Sequence, residues 1–231
     1  MTTIIPAILP KDYEDLKNKL AMIKGRVPVV QVDLCDGVFV QSKTWPFDEI
    51  ENSRSHFAGI LREEEGMPFW EEIDFELDLM VSDAMENFDI YTKLGPRRII
   101  FHVDAFKDLE EFKHFLEGID PYIRDSFEIG IAVTVNTDIE KVNSLVSLVE
   151  FVQVMGIERI GYQGEEFTEK SLDYIKILRE KYPDLIISVD GGVNLETGSM
   201  LVQAGANRLV SGSAIFGSDD IIGKIEDFQN L

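Results

Sequence analysis

The stretch Val30-Gln31-Val32-Asp33-Leu34-Cys35-Asp36-Gly37 reads as a buried strand that ends in acid and glycine. Strand side chains alternate between faces, so Val30, Val32 and Leu34 share one face while Gln31, Asp33 and Cys35 share the other. An amide and a carboxylate pointing into a protein are costly unless they are paired or line a cavity. This strand end is therefore a candidate active site, with a capped, solvated strand terminus as the plainer alternative.

Outward from that stretch, apolar runs and helical periodicities alternate along the chain. Strands are predicted at 3–9, 29–34, 75–81, 98–103, 127–133, 149–154, 185–189 and 208–210. Between them, helices are predicted at 12–23, 47–62, 83–94 and 109–116. Thr137 and Asp138 open another through Leu145, Thr168 caps a helix carrying Leu172, Ile175, Leu178 and Tyr182, Asn194 caps one through Ala204, and the last spans 219–228. Glycine and proline punctuate the joints, as at Gly95-Pro96. Residues 63–73, acidic but carrying Met67-Pro68-Phe69-Trp70, lengthen one connection beyond the usual.

Eight strands alternating with eight helices call for parallel strands wrapped by helices. At 231 residues the count favours one domain, a (β/α)8 TIM barrel over residues 1–231, rather than an open doubly wound sheet. In such a barrel chemistry sits where strands end and loops begin.

Composition narrows the function. The net charge of −21 repels nucleic acid and anionic membrane surfaces. It also repels a phosphorylated substrate at long range, so a phosphate site must rely on local backbone donors. No apolar run approaches the roughly 18 residues of a membrane span, and the N-terminus has no secretory pattern. A soluble, cytoplasmic protein is expected. The single cysteine, Cys35, excludes an internal disulfide and reads as a small core residue rather than a nucleophile. Three histidines make a His-rich metal site hard to build.

Four polar groups converge at the predicted strand ends: Gln31 and Asp33, then Asp78, then Asp190. Asp78 joins them only if the row Glu76, Asp78, Met80 faces inward. Two carboxylates about 4 Å apart at an effective dielectric near 20 repel by roughly 4 kcal/mol. Three at one mouth therefore require a cation among them or a retained proton; the plainer reading is that they cap loops and meet water. A second constellation suits an anion: Gly191-Gly192 lies before the helix near Asn194, and Gly212-Ser213 before a short helical turn. Barrels often bind phosphate after strands seven and eight.

From Ile5-Pro6-Ala7-Ile8-Leu9 almost to its end, the sequence resembles the ribulose-phosphate 3-epimerase family. The resemblance is carried by residues 32–40, Leu79-Met80-Val81, Phe101-His102-Val103-Asp104-Ala105, Val189-Asp190-Gly191-Gly192-Val193, Ala204-Gly205-Ala206 and Ser211-Gly212-Ser213-Ala214-Ile215-Phe216. It implies an isomerase of pentose phosphate carbohydrate metabolism, which inverts C3 of a ketopentose 5-phosphate through an enediolate steadied by a divalent metal. By resemblance Asp33 and Asp190 form the acid/base pair and are metal ligands. Gly191, Gly192, Gly212 and Ser213 match phosphate-binding positions, and Met80 and Met155 match methionines that cover the intermediate.

The chain departs from the family pattern where the metal would bind. The two histidine ligands fall at Gln31 and Asp78, and the serine after the first-strand proline falls at Ala7. The loop after strand six is replaced by residues 156–164. The oxygen set Gln31, Asp33, Asp78 and Asp190 suits magnesium or manganese rather than zinc, or no ion at all. The leading expectation is an epimerase of a phosphorylated ketose, with a homo-oligomer left open. The alternative is a non-catalytic barrel that binds a phosphosugar, or a protein through residues 63–73, which read equally well as a lid on their own barrel.

Overall fold

A computed structural model describes residues 2–231. Eight parallel strands close into a barrel: β1 (Thr3–Ile8), β2 (Val29–Cys35), β3 (Asp74–Met80), β4 (Arg98–His102), β5 (Glu128–Val133), β6 (Phe151–Met155), β7 (Ile186–Asp190) and β8 (Arg208–Ser211), with β8 pairing back onto β1. The helices around it are α1 (Tyr13–Ile23), α2 (Glu51–Leu61), α3 (Phe88–Thr92), α4 (Leu109–Gly118), α5 (Pro121–Arg124), α6 (Ile139–Leu145), α7 (Lys170–Lys181), α8 (Leu195–Ala204), α9 (Ser213–Phe216) and α10 (Ile221–Gln229). The single-domain TIM barrel is the observed fold.

Two cores follow from the alternation along each strand. The outward rows, such as Val30, Val32 and Leu34 of β2 and Leu77 and Leu79 of β3, are fully buried under the apolar stripe of the helices. On α1 that stripe is Tyr13, Leu16, Leu20 and Ile23, and Asp12 fixes the start by accepting from the Asp15 backbone N–H at 2.8 Å. Burying each such side chain contributes about 1.5–3 kcal/mol, so the outer layer holds the barrel together.

The inward rows are unusually polar. At the strand starts, the buried Glu76 carboxylate is paired with Arg208 and lies 3.8 Å from Arg98, which also reaches Glu128 at 2.6 Å. Arg208 lies over the Phe151 ring at 4.5 Å, so this layer plugs that end with paired charges of opposite sign. Toward the strand ends the inward rows become Gln31, Asp33, Asp78, His102, Gln153, Ser188 and Asp190, all buried. The register sets Asp33 beside Asp78 and Met155 beside Asp190. The row Glu76, Asp78, Met80 does face inward.

Several predicted elements differ. The helix predicted over 47–62 begins only at Glu51. The one predicted over 83–94 is helical only from Phe88 to Thr92, because the Asp83 carboxylate accepts from Asn87 Nδ2 at 2.7 Å and Tyr91 OH at 2.8 Å and fastens the preceding turns. Thr168 does not cap α7; its backbone N–H donates to Gly156 O at 2.8 Å, and the helix starts without a side-chain cap. Asn194 does cap α8, in a reciprocal arrangement with Thr197. Residues 62–73 lead into the start of β3, where Asp74 N–H donates to Pro28 O at 2.9 Å. They lie at the end of the barrel opposite the strand termini and form no lid over them. Met67 is buried there, and Trp70 is 62% exposed.

Among the described residues no helix is long and apolar enough to cross a membrane. Cys35 is buried, and burial followed by the Asp33 charge raises its thiol pKa, as a core role requires.

Candidate active site

Barrel closure makes neighbours of residues far apart in sequence. Gln31 is fully buried, and its Nε2 donates to Asp33 Oδ1 and to Asp190 Oδ2, both at 2.8 Å, bridging β2 to β7 across the mouth. On the adjacent strand Asp78 is fully buried, and its Oδ1 lies 2.8 Å from His102 Nε2. One oxygen each of Asp33, Asp78 and Asp190 lies within 4.8 Å of the others. These three aspartates could together hold a metal ion.

The electrostatics follow from that crowding. Burial, then the charges of Asp190 and Asp78, raise Asp33 well above the ordinary carboxylate range, opposed by the hydrogen bond from Gln31. Asp190 is pushed up to about 7, first by burial and second by the Asp78 charge. Gln31 Oε1 is buried without a hydrogen-bond donor among the described residues. A buried orphan oxygen beside crowded carboxylates is electron-rich on every side, which fits a cation as its partner.

Next to the carboxylates lies a cleft of about 500 Å³ counting its open mouth. Asp33, Asp190, Met80, Met155, Gly191, Gly192, Gly212 and Ser213 all line it, so the predicted residues meet in one place. Gln31 and Asp78 sit just beneath. Residues 156–164 roof the cleft: Ile160 packs against the groups of Met155 and Met80, Gln163 Nε2 donates to Ala7 O at 3.4 Å, and Tyr162 OH donates to Gln41 Oε1 at 2.9 Å. Neither lysine nor arginine is among the described lining residues, and Glu165 is, with Arg159 3.0 Å away as its counter-charge. An anion here would depend on backbone donors.

Glycine is required at two points of this cradle. Gly192 has φ +67°, and a Cβ on it would stand 2.8 Å from the Phe167 backbone. A Cβ on Gly212 would stand 3.0 Å from Ala7 O and 2.5 Å from Gln163 Nε2. Gly212→Ala therefore displaces the roof without forbidding the backbone, whose φ is −101°. We expect this variant to bind inorganic phosphate about tenfold more weakly with its melting temperature little changed, as titration calorimetry and thermal melts would show.

Sequence reasoning missed His102, Gln153, Ser188 and the roof contacts of Tyr162 and Gln163. Strand alternation puts His102 on the same face as Ile100, but which face turns inward is set by the pairing of β4 with β3.

Barrel fold, carboxylate mouth and glycine cradle together define a (β/α)8 barrel with its polar centre at the strand ends. The model of the ribulose-phosphate 3 epimerase family matches residues 3–216, and the chain belongs to that family. It is 29% identical over 219 residues to the cytoplasmic isoform of ribulose-phosphate 3-epimerase from Oryza sativa subsp. japonica, covering 93% of this chain and 87% of that one. To ribulose-phosphate 3-epimerase of Bacillus subtilis (strain 168) it is 26% identical over 226 residues, covering 95% and 94%. Among solved structures, KGPDC from Streptococcus mutans superposes with a TM-score of 0.67 at 13% identity, covering 100% of this chain and 96% of that one, a likeness of fold.

Proposed function

We propose that the protein epimerises a phosphorylated ketose at C3, with Asp33 and Asp190 as the proton-transferring pair. The observation that carries this reading is the Gln31 amide holding Asp33 and Asp190 at 2.8 Å each beside a glycine-lined cleft. Family membership supports it at the level of the reaction class.

One carboxylate takes the C3 proton, made acidic by the neighbouring carbonyl, and leaves an enediolate. The other, protonated, returns a proton to the opposite face of C3. The crowding that raises both pKa values allows one carboxylic acid and one carboxylate to coexist near neutral pH. Met80 and Met155 present thioether and methylene surface to the flat intermediate and keep water from it. Gly191, Gly192, Gly212 and Ser213 anchor the phosphate through backbone N–H groups. A bound divalent cation would stabilise the negative charge developing on substrate oxygen, and Gln31, Asp33, Asp78 and Asp190 are the residues that would hold it. That donor set is all oxygen, which suits magnesium or manganese better than zinc.

The test is turnover. Ribulose 5-phosphate incubated with purified protein and Mn²⁺ or Mg²⁺ should yield its C3 epimer, while unphosphorylated ribulose should be a far poorer substrate. Failure to convert ribulose 5-phosphate or any related 5-phosphorylated ketose with either ion would overturn the reading.

A further inference from the structure

Asp78 carries no proton in the mechanism above, yet a second set of buried side chains holds it. Its Oδ1 meets His102 Nε2 at 2.8 Å, and its Oδ2 lies 3.5 Å from Gln153 Nε2, at the outer limit of a hydrogen bond. Gln153 Oε1 in turn accepts from Ser188 Oγ at 3.2 Å. The chain of contacts runs from β3 through β4, β6 and β7, and every member is buried. Phe39 covers the imidazole, with ring centroids 5.6 Å apart, and shields the pair from water.

With its proton on Nε2 the His102 imidazole donates to the Asp78 carboxylate, which accepts. Asp33 and Asp190 share the donor Gln31, and the Gly191 backbone N–H adds only to Asp190, whereas Asp78 has a side-chain donor of its own from the neighbouring strand. We infer that His102 is a positioning residue: its Nε2–H fixes the Asp78 carboxylate so that the Asp33, Asp78 and Asp190 oxygens face one divalent cation together. The inference rests on the cation reading given under Proposed function. It assigns a role to an imidazole that touches neither the cleft nor the candidate acid/base pair. Where Asp78 stands in place of an imidazole ligand, the nearby imidazole acts one layer out. Outer partners of this kind typically change metal affinity by 10–100-fold when removed.

The experiment measures Mn²⁺ affinity of the full chain without substrate, from the electron paramagnetic resonance of free Mn²⁺, and in parallel the melting temperature of the metal-free protein. His102→Leu keeps the bulk but donates nothing, whereas His102→Gln can place an amide Nε2 near the original donor. The expected result is Mn²⁺ binding weakened at least tenfold in His102→Leu and within about threefold of wild type in His102→Gln. A purely structural role would shift the melting temperature and leave Mn²⁺ affinity unmoved. Should His102→Leu fail to fold, His102→Asn, whose shorter amide cannot reach Asp78, takes its place with the same expected loss. Unchanged affinity in the donor-less variant overturns the inference alone. A wild-type protein that binds no Mn²⁺ overturns the cation reading and this inference with it.

Discussion

Asp33→Asn and Asp190→Asn are each expected to lower kcat for C3 epimerisation by about 10³-fold, within the range for loss of a positioned acid or base. Asparagine keeps the shape and can still accept the Gln31 hydrogen bond seen at 2.8 Å, so the loss reports on the proton rather than on packing. The double variant should be little worse than either single one, because a pair that hands a proton across a carbon works as a unit. Steady-state assays at saturating substrate check this. An activity within tenfold of wild type for either single variant would remove that aspartate from the chemistry.

The second large effect is on stability. Asp190 is pushed from the ordinary carboxylate value up to about 7 in the folded protein, first by burial and then by the Asp78 charge. Between the ordinary value and about 7 the folded state binds more protons than the unfolded one, so stability falls as pH rises through that window and stays low above it. Metal-free wild-type protein should therefore melt higher at pH 5 than at pH 8, by about 5–10 °C beyond any change in Asp190→Asn. Mn²⁺ at pH 8 should recover much of the difference by neutralising the cluster. Parallel pH profiles of wild type and variant in differential scanning calorimetry would show that the crowding carries no such cost. With the expected divergence, Asp190→Asn combines a more stable metal-free protein at pH 8 with lost turnover, the signature of a strained functional site.

The sequence made one half of this site readable and hid the other for a physical reason. Strand periodicity is local, so the inward placement of Gln31 and Asp33 followed from their spacing of two, and the row through Asp78 followed once the strand faced the same way. Cross-barrel contacts are not local. Gln31 and Asp190 meet because the sheet closes on itself, and no spacing reveals that one amide bridges both carboxylates. His102 illustrates the same limit. A lone histidine at the end of an apolar strand reads as core, and only the pairing of Asp78 with Ile100 brings the imidazole to the Asp78 carboxylate.

Helix lengths failed where side chains compete for the backbone. Asp83 holds its own turn and shortens α3, and Asp120 with Pro121 starts the short α5 that no periodicity announced. Residues 63–73 were ambiguous because composition carries no direction. Their lead into β3 puts Trp70 at the strand starts, where it has no access to the cleft.

In the proposed function two aspartates exchange a proton at C3 on opposite faces of the sugar. That exchange is tested most directly by proton NMR of the reaction of ribulose 5-phosphate in deuterated water with Mn²⁺ present. The C3 epimer should form carrying solvent deuterium at C3, and Asp33→Asn and Asp190→Asn should each slow its formation by about 10³-fold. An epimer that retains its original hydrogen at C3, or one formed equally fast by both variants, would contradict it.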